Sequence, residues 1–231
     1  MKKSNKILLA GFLGLLLLVS AIHISLYAKY KSGDYTIYQE EDNRLSQSMQ
    51  AFPNILFVSV RNVQHATVRF DDVAQGETTD AGNIQYVQRG DTLLISSKDS
   101  TNDQGFVVPV SFHVPHNATL SLFNSALTFQ TGKKIAGINP VIYLDNSRAV
   151  FSDNENPIQL GNVRLFASNS SVALFRENTQ VNQLDVQLAN SVFEYGDGKV
   201  GQLTIATDSL SHISLPAKHL INATIKNNTT Q

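Results

Sequence analysis

Histidine and carboxylate pairs come closest to a chemical signature in this chain. His113 and His116 stand three apart around Pro115. In a strand that proline interrupts, the two imidazoles point different ways. No third ligand is near in sequence, so no metal site is expected. His65 reads as a turn residue, and His212 and His219 as ordinary side chains near the end of the repeats. Asp71-Asp72 read as a turn, and Asp80, Asp103, Asp153 and Glu155 fall in loops. Polysaccharide cleavage needs two carboxylates held several ångströms apart on one wall. Arg164 and Asp185 do share an outward column, but that pair reads as a cross-strand ion pair worth under about 1 kcal/mol. No glycine-rich phosphate loop, nucleophile elbow or zinc motif occurs. Cysteine is absent, which removes thiol nucleophiles, disulfides and thiolate metal sites together. No catalytic residue, cofactor or metal ligand is assigned, and the expectation is a protein that is not an enzyme. A carbohydrate-active enzyme is the alternative.

The elements that would hold any site are easier to read. Asn-Ser pairs recur at Asn124, Asn146, Asn169 and Asn190, spaced 22, 23 and 21 residues, with a degenerate copy at Asp208-Ser209. Four residues before the Asn stand Leu120, Ile142, Leu165 and Val186; two before it stand Leu122, Leu144, Ala167 and Leu188. Three after it stand Leu127, Ala149, Val172 and Phe193; five after it stand Phe129, Phe151, Leu174 and Tyr195. Alternation on both sides of a turn predicts two half-buried strands per repeat. The fixed period predicts coils resting on one another. The fold expected is all-β, a right-handed parallel β-helix-like stack with N-terminal strands. The Asn falls at inward parity, tolerates the left-handed turn conformation, and should form an amide ladder along the stack. Three before the Asn stand Ser121, Tyr143, Phe166 and Gln187, and one before it stand Phe123, Asp145, Ser168 and Ala189. Phe123, Tyr143 and Phe166 therefore form a candidate contact patch on an outer wall.

Ahead of the repeats, Ile55 to Val60 and Ala66 to Phe70 read as strands joined around Asn62. Ile84 to Gln88 and Thr92 to Ser96 read as a hairpin about Arg89-Gly90-Asp91. Phe106 to Val114 reads as a strand closed by Pro115. Residues 1–6 carry Lys2, Lys3 and Lys6, and the apolar run 7–28 would reach about 33 Å as a helix, at roughly 1.5 Å per residue. This predicts a cytoplasmic tail and one transmembrane signal anchor, with a juxtamembrane spacer at 29–51, a β-repeat domain at 52–226 and a frayed tail at 227–231. Val19-Ser20-Ala21 offers the alternative of a cleaved signal peptide and a secreted product. The excess of lysines before the run places the N-terminus inside. With no Cys, the envelope expected is bacterial: inner membrane, domain in the periplasm. A net charge of −1 without basic clusters argues against nucleic acid as a partner.

The N-terminal strands, the segment Phe-Val-Val-Pro-Val-Ser-Phe-His-Val-Pro at 106–115 and the repeated Asn-Ser units together resemble a bacterial family, the auto-transporter adhesin head domains. The resemblance covers roughly 52–225. It implies a right-handed β-helix-like fold outside the cytoplasm and carries no catalytic residues with it. This chain departs from a surface adhesin in being short, with an apparent anchor and no outer-membrane barrel. The expected function is a non-catalytic envelope protein presenting a β-stack to a protein or glycan, with self-association through a wall or the stack end. A regulatory accessory of a membrane partner is the alternative.

Overall fold

The computed structural model describes residues 3–32, 48–78, 84–97, 110–130, 137–153 and 156–227. The chain divides into two compact units, 1–45 and 46–231. In the first, Lys3–Ser32 form one α-helix, α1, of 30 residues. Leucine-rich sequence favours that helix. Ser20 Oγ and His23 Nδ1 lie 2.8 and 2.9 Å from the carbonyls of Leu16 and Val19, one turn back. Among the described residues no helix is long and apolar enough to cross a membrane, so the transmembrane span expected at 7–28 stands only as a helix. Ser20, His23 and Ser25 interrupt its apolar run. Most of the spacer at 29–51, residues 98–109 with the first part of the strand expected at Phe106 to Val114, and the end of the frayed tail lie outside the described residues.

The second unit opens with β1 (Ser48–Phe52), β2 (Phe57–Arg61), β3 (Gln64–Asp71) and β4 (Ala74–Thr78). The expected hairpin follows as β5 (Ile84–Arg89) and β6 (Thr92–Ser97), with Gly90 at φ 62 in the turn. β7 (Ser111–Pro115) precedes the repeats. These run as β8 (Thr119–Phe123) with β9 (Ala126–Gln130), β10 (Val141–Asp145) with β11 (Arg148–Phe151), and β12 (Ile158–Ser168) with β13 (Val172–Phe175). They continue as β14 (Thr179–Leu188) with β15 (Val192–Tyr195), and β16 (Lys199–Thr207) with β17 (His212–Ser214). A helical turn, α2 (Ala217–Leu220), leads to β18 (Ala223–Asn227).

These strands pile into two nine-stranded sheets, β1-β4-β7-β3-β9-β11-β13-β15-β17 and β18-β16-β14-β12-β10-β8-β2-β6-β5. All pairings are parallel except those of β1, β4 and β5, which close one end antiparallel. The result is an all-β parallel solenoid of about five turns. Order along the stack is not order in the chain. The coil β2–β3 sits between β6–β7 and β8–β9, since β2 pairs with both β6 and β8, and β3 with both β7 and β9.

Two strands per repeat is too simple for the later coils. Along β12 the buried residues are Ile158 and Leu160, then Val163, Leu165 and Ala167, so parity switches at Gly161-Asn162. β14 and β16 switch at the equivalent places, Asn182-Gln183 and Gly201-Gln202. Each of these strands bends and lines two facets.

The core is a column of inward side chains, one per coil. Phe70, Phe129, Phe151, Phe175 and Tyr195 stack with ring centroids 5.8, 4.7, 4.2 and 5.4 Å apart. Phe175, not Leu174, joins this column, and Ala173, not Val172, pairs with Ala149. The two columns expected after the Asn therefore slip by one in the third repeat, while the two before it hold. The cause is an extra turn residue: Asn169 and Ser170 both have positive φ, 55 and 64, where the corners at Asn124, Asn146 and Asn190 need only their Asn. Tyr195 is inward and polar, and its hydroxyl donates to the carbonyls of Thr179 and Lys199 at 3.2 and 2.8 Å. Burial pushes its pKa well up, so it stays a neutral donor.

Candidate functional site: corner ladders and an aromatic wall

Each corner needs a residue that accepts the left-handed backbone, and Asn supplies it at low cost. Asn124, Asn146 and Asn190 have φ of 47, 45 and 48. Their side chains are exposed rather than inward, because the turn breaks strand parity at that residue. Asn62 occupies the same corner of the β2–β3 coil at φ 55. Asn124 Nδ2 donates to Asn62 Oδ1 at 2.8 Å, and Asn146 Nδ2 to Asn124 Oδ1 at 3.3 Å. The ladder then breaks: Asn169 Nδ2 donates to Asp145 Oδ1 at 2.6 Å, and the Asn190 amide N–H to Asp208 Oδ2 at 2.9 Å.

The buried partner at each corner is serine. Ser125, Ser147, Ser171 and Ser191 are buried. Each hydroxyl donates to a carbonyl just behind it, at 2.8, 2.7, 2.5 and 2.9 Å respectively. The same oxygens accept from the neighbouring coil. Ser125 Oγ takes the amide of Val63, Ser147 Oγ that of Ser125, and Ser171 Oγ that of Ser147, at 3.2, 3.1 and 3.1 Å. Ser211 Oγ does the same for the Ser191 amide at 3.1 Å. Backbone groups that the turn strips of sheet partners are satisfied this way. The corner at Asn62 was legible: Val58 and Val60 stand four and two residues before it, as in the other copies.

The outer wall of the second sheet carries the aromatic residues. Register stacks Leu94, Ser59, Ser121, Tyr143, Phe166 and Gln187 in one column. Tyr143 and Phe166 stack at 4.7 Å and 10° between planes. On its other side the column continues as Ser121 and Ser59, and these neighbours among the described residues are too small to cover the Tyr143 ring. Tyr143 is 44% exposed. Phe123 does not join that stack. It lies two residues along the strand, in register with Arg61 and Asp145, and is 49% exposed. Phe57, in the opposite flanking column beside Thr119, is 46% exposed and was not singled out in the sequence. Phe57, Phe123 and Tyr143 thus rim a floor made of Ser59 and Ser121. Beside it a groove of about 470 Å³ runs past Tyr143, Asp145, Phe166, Ser168 and Gln187.

Other candidates stand apart from this wall. Arg164 and Asp185 are in register, but the expected ion pair does not form, and Asp185 instead accepts from Gln183 Nε2 at 3.3 Å. His113 Nδ1 lies 2.9 Å from Asp71 Oδ2, and His116 Nδ1 3.5 Å from Asp72 Oδ1, so each imidazole faces an aspartate rather than its fellow. His219 is buried and packs edge-on against Tyr195 at 5.1 Å. Among the described residues no group of three or more His, Cys, Asp or Glu is placed to hold a metal ion. A larger groove, about 590 Å³, follows the serine corners over Ala126, Thr128, Val150 and Val172, without an aromatic residue.

Compared with family models, with curated proteins and with solved structures, the chain finds no match in any of the three.

Proposed function

We propose that this protein is a non-catalytic envelope protein whose solenoid presents the Phe57–Phe123–Tyr143 wall to a glycan. The observation that carries the reading is the uncovered face of Tyr143 above the Ser59–Ser121 floor. From Leu94 to Tyr143 the column spans three strand spacings, roughly 14 Å. A sugar ring lying there would stack its apolar face on Tyr143 while its hydroxyls meet Ser59, Ser121, Thr119 and Asp145. Aromatic stacking with a few fixed polar groups is the usual construction of a small polar-ligand site. A wall built on paired strands holds those groups without ordering a loop, which lowers the entropic cost of binding. The envelope location rests on the basic start and apolar run of α1, features of a segment that directs export. The resemblance of 52–225 to adhesin head domains points the same way.

The test is a glycan array probed with the full chain, followed by calorimetry on the best ligand with Tyr143→Ser and Phe123→Ser. Both variants should lose at least tenfold in affinity with little change in melting temperature, since both side chains are about half exposed and lie outside the core. An array without binding, or binding indifferent to Tyr143→Ser, would overturn the proposal.

A further inference from the structure

The two ends of the solenoid are finished differently. At one end β1, β4 and β5 turn antiparallel over the stack, and Phe52 and Tyr86 stack at 5.7 Å against the last inward side chains. Gly76 leaves the space that the Tyr86 ring fills. At the other end the last coil carries Leu210, Leu220, Ile221 and Ile225, exposed by 73, 51, 84 and 50%. α2 covers only part of this end, through His219 on Tyr195 and Lys218 Nζ at 2.8 Å from the Asp197 carbonyl. β18 pairs with β16 on one side and, among the described residues, has no neighbouring strand on the other.

The free edge of β18 has a definite pattern. Ala223 is in register with Leu203, and the Leu203 amide donates to the Asn222 carbonyl at 3.3 Å. In a parallel ladder this directs the amides and carbonyls of residues 222, 224 and 226 toward β16. The groups of Ala223, Ile225 and Asn227 then point outward, unpaired within the sheet. A two-fold axis through Ile225 would set Ile225 against its own copy and Ala223 against Asn227. These are the positions whose N–H and C=O face the partner, so the hydrogen bonds of an antiparallel pair fall where they are needed. The one charge on the strand, Lys226, would lie opposite Thr224 rather than another Lys226, so no like charges meet. Ile225 would meet Ile225 on the inward face, extending the core across the junction.

We propose that a second copy of this chain docks tail to tail on β18, joining two solenoids through an antiparallel Ile225–Ile225 pair. An isologous contact of this kind closes on itself and ends growth at two copies. It also disposes of an exposed sheet edge.

The chain has no cysteine, so Ile225→Cys introduces its only thiol. Across an antiparallel hydrogen-bonded pair the Cα atoms stand about 5.5 Å apart, within disulfide reach. Oxidation of this full-length variant in detergent should give a covalent dimer, while Thr128→Cys, in the middle of the other sheet, should not. Sedimentation velocity should show a wild-type dimer that Ile225→Pro converts to monomer with an unchanged circular dichroism spectrum. Proline there removes only an amide that points off the edge, so the internal ladder is kept. A monomeric wild type, an Ile225→Cys chain that does not cross-link, or a dimer undiminished by Ile225→Pro would each overturn the proposal.

Discussion

At a corner, two adjacent residues divide the work. Asn accepts the left-handed backbone and stays exposed, while the serine that follows is buried and holds the backbone together. The pairs were plain in the sequence, but Asn was taken as the inward member and the serine was given no role. Strand parity continued through a turn gives that answer. The turn itself breaks the alternation, and only the structure locates the break. The energetic consequence is specific. Ser147 Oγ accepts from the Ser125 amide and donates to the Asp145 carbonyl, both at a buried corner. Ser147→Ala strips the buried Ser125 amide of this bond, while the Asp145 carbonyl keeps the Asn124 amide, which should cost about 1–3 kcal/mol. Ser170 is exposed, and Ser170→Ala should stay within about 0.5 kcal/mol. Urea denaturation of the two variants checks the contrast. Equal losses would show that the buried hydroxyl matters no more than the exposed one.

Between strands, one inserted residue decides which side chain reaches the core. The four-column alignment was right for the first, second and fourth copies, where the pairs Leu127–Ala149 and Phe129–Phe151 are in register. At the third copy the columns before the Asn held, with Leu165 and Ala167 in register, but the two after it failed, because Asn169-Ser170-Ser171 offers two Asn-Ser-like readings and the alignment took the earlier one. Only stacking on Phe151 selects Phe175. Phe175→Ala should therefore cost about 3–5 kcal/mol, since it opens a cavity between Phe151 and Tyr195 that neither rigid strand can close. Leu174 is buried as well, but on the other face of β13 and outside the core cluster, so Leu174→Ala should cost less. A larger loss at Leu174 in thermal or urea unfolding would show that the slipped register is wrong. The facets made by bends in β12, β14 and β16 were missed for a related reason. A bend inside a strand leaves two short apolar runs out of phase, and alternation counted over the repeat averages them away.

Over the whole molecule, the stacking order and the finish of the two ends were not legible. Parallel pairing asks only for matching parity and register, and β2–β3 fits between β6–β7 and β8–β9 as well as it would fit in chain order. What the repeats did announce is near one-dimensionality, since each coil touches only its neighbours and local stability follows position in the stack. That makes the last coil the first to loosen, and Asp208 sets when. Its carboxylate takes the Ser211 hydroxyl at 2.6 Å, the Asn190 amide at 2.9 Å and the Leu210 amide at 3.2 Å. The Ser211 bond first, and the amides with it, hold its pKa below the ordinary aspartate value. A folded-state pKa below the unfolded one means that the charged form contributes stability above the ordinary aspartate range, and that this contribution is lost as pH falls through the folded value. Amide-exchange protection in β17 and β18 should accordingly drop as pH is lowered past about 3.9, while β10 to β13 keep theirs. Asp208→Asn should lower protection in the last coil at neutral pH and abolish its acid response. Uniform loss of protection along the stack on acidification would mean that the coils unfold as one body and that the terminal carboxylate does not set the weak end.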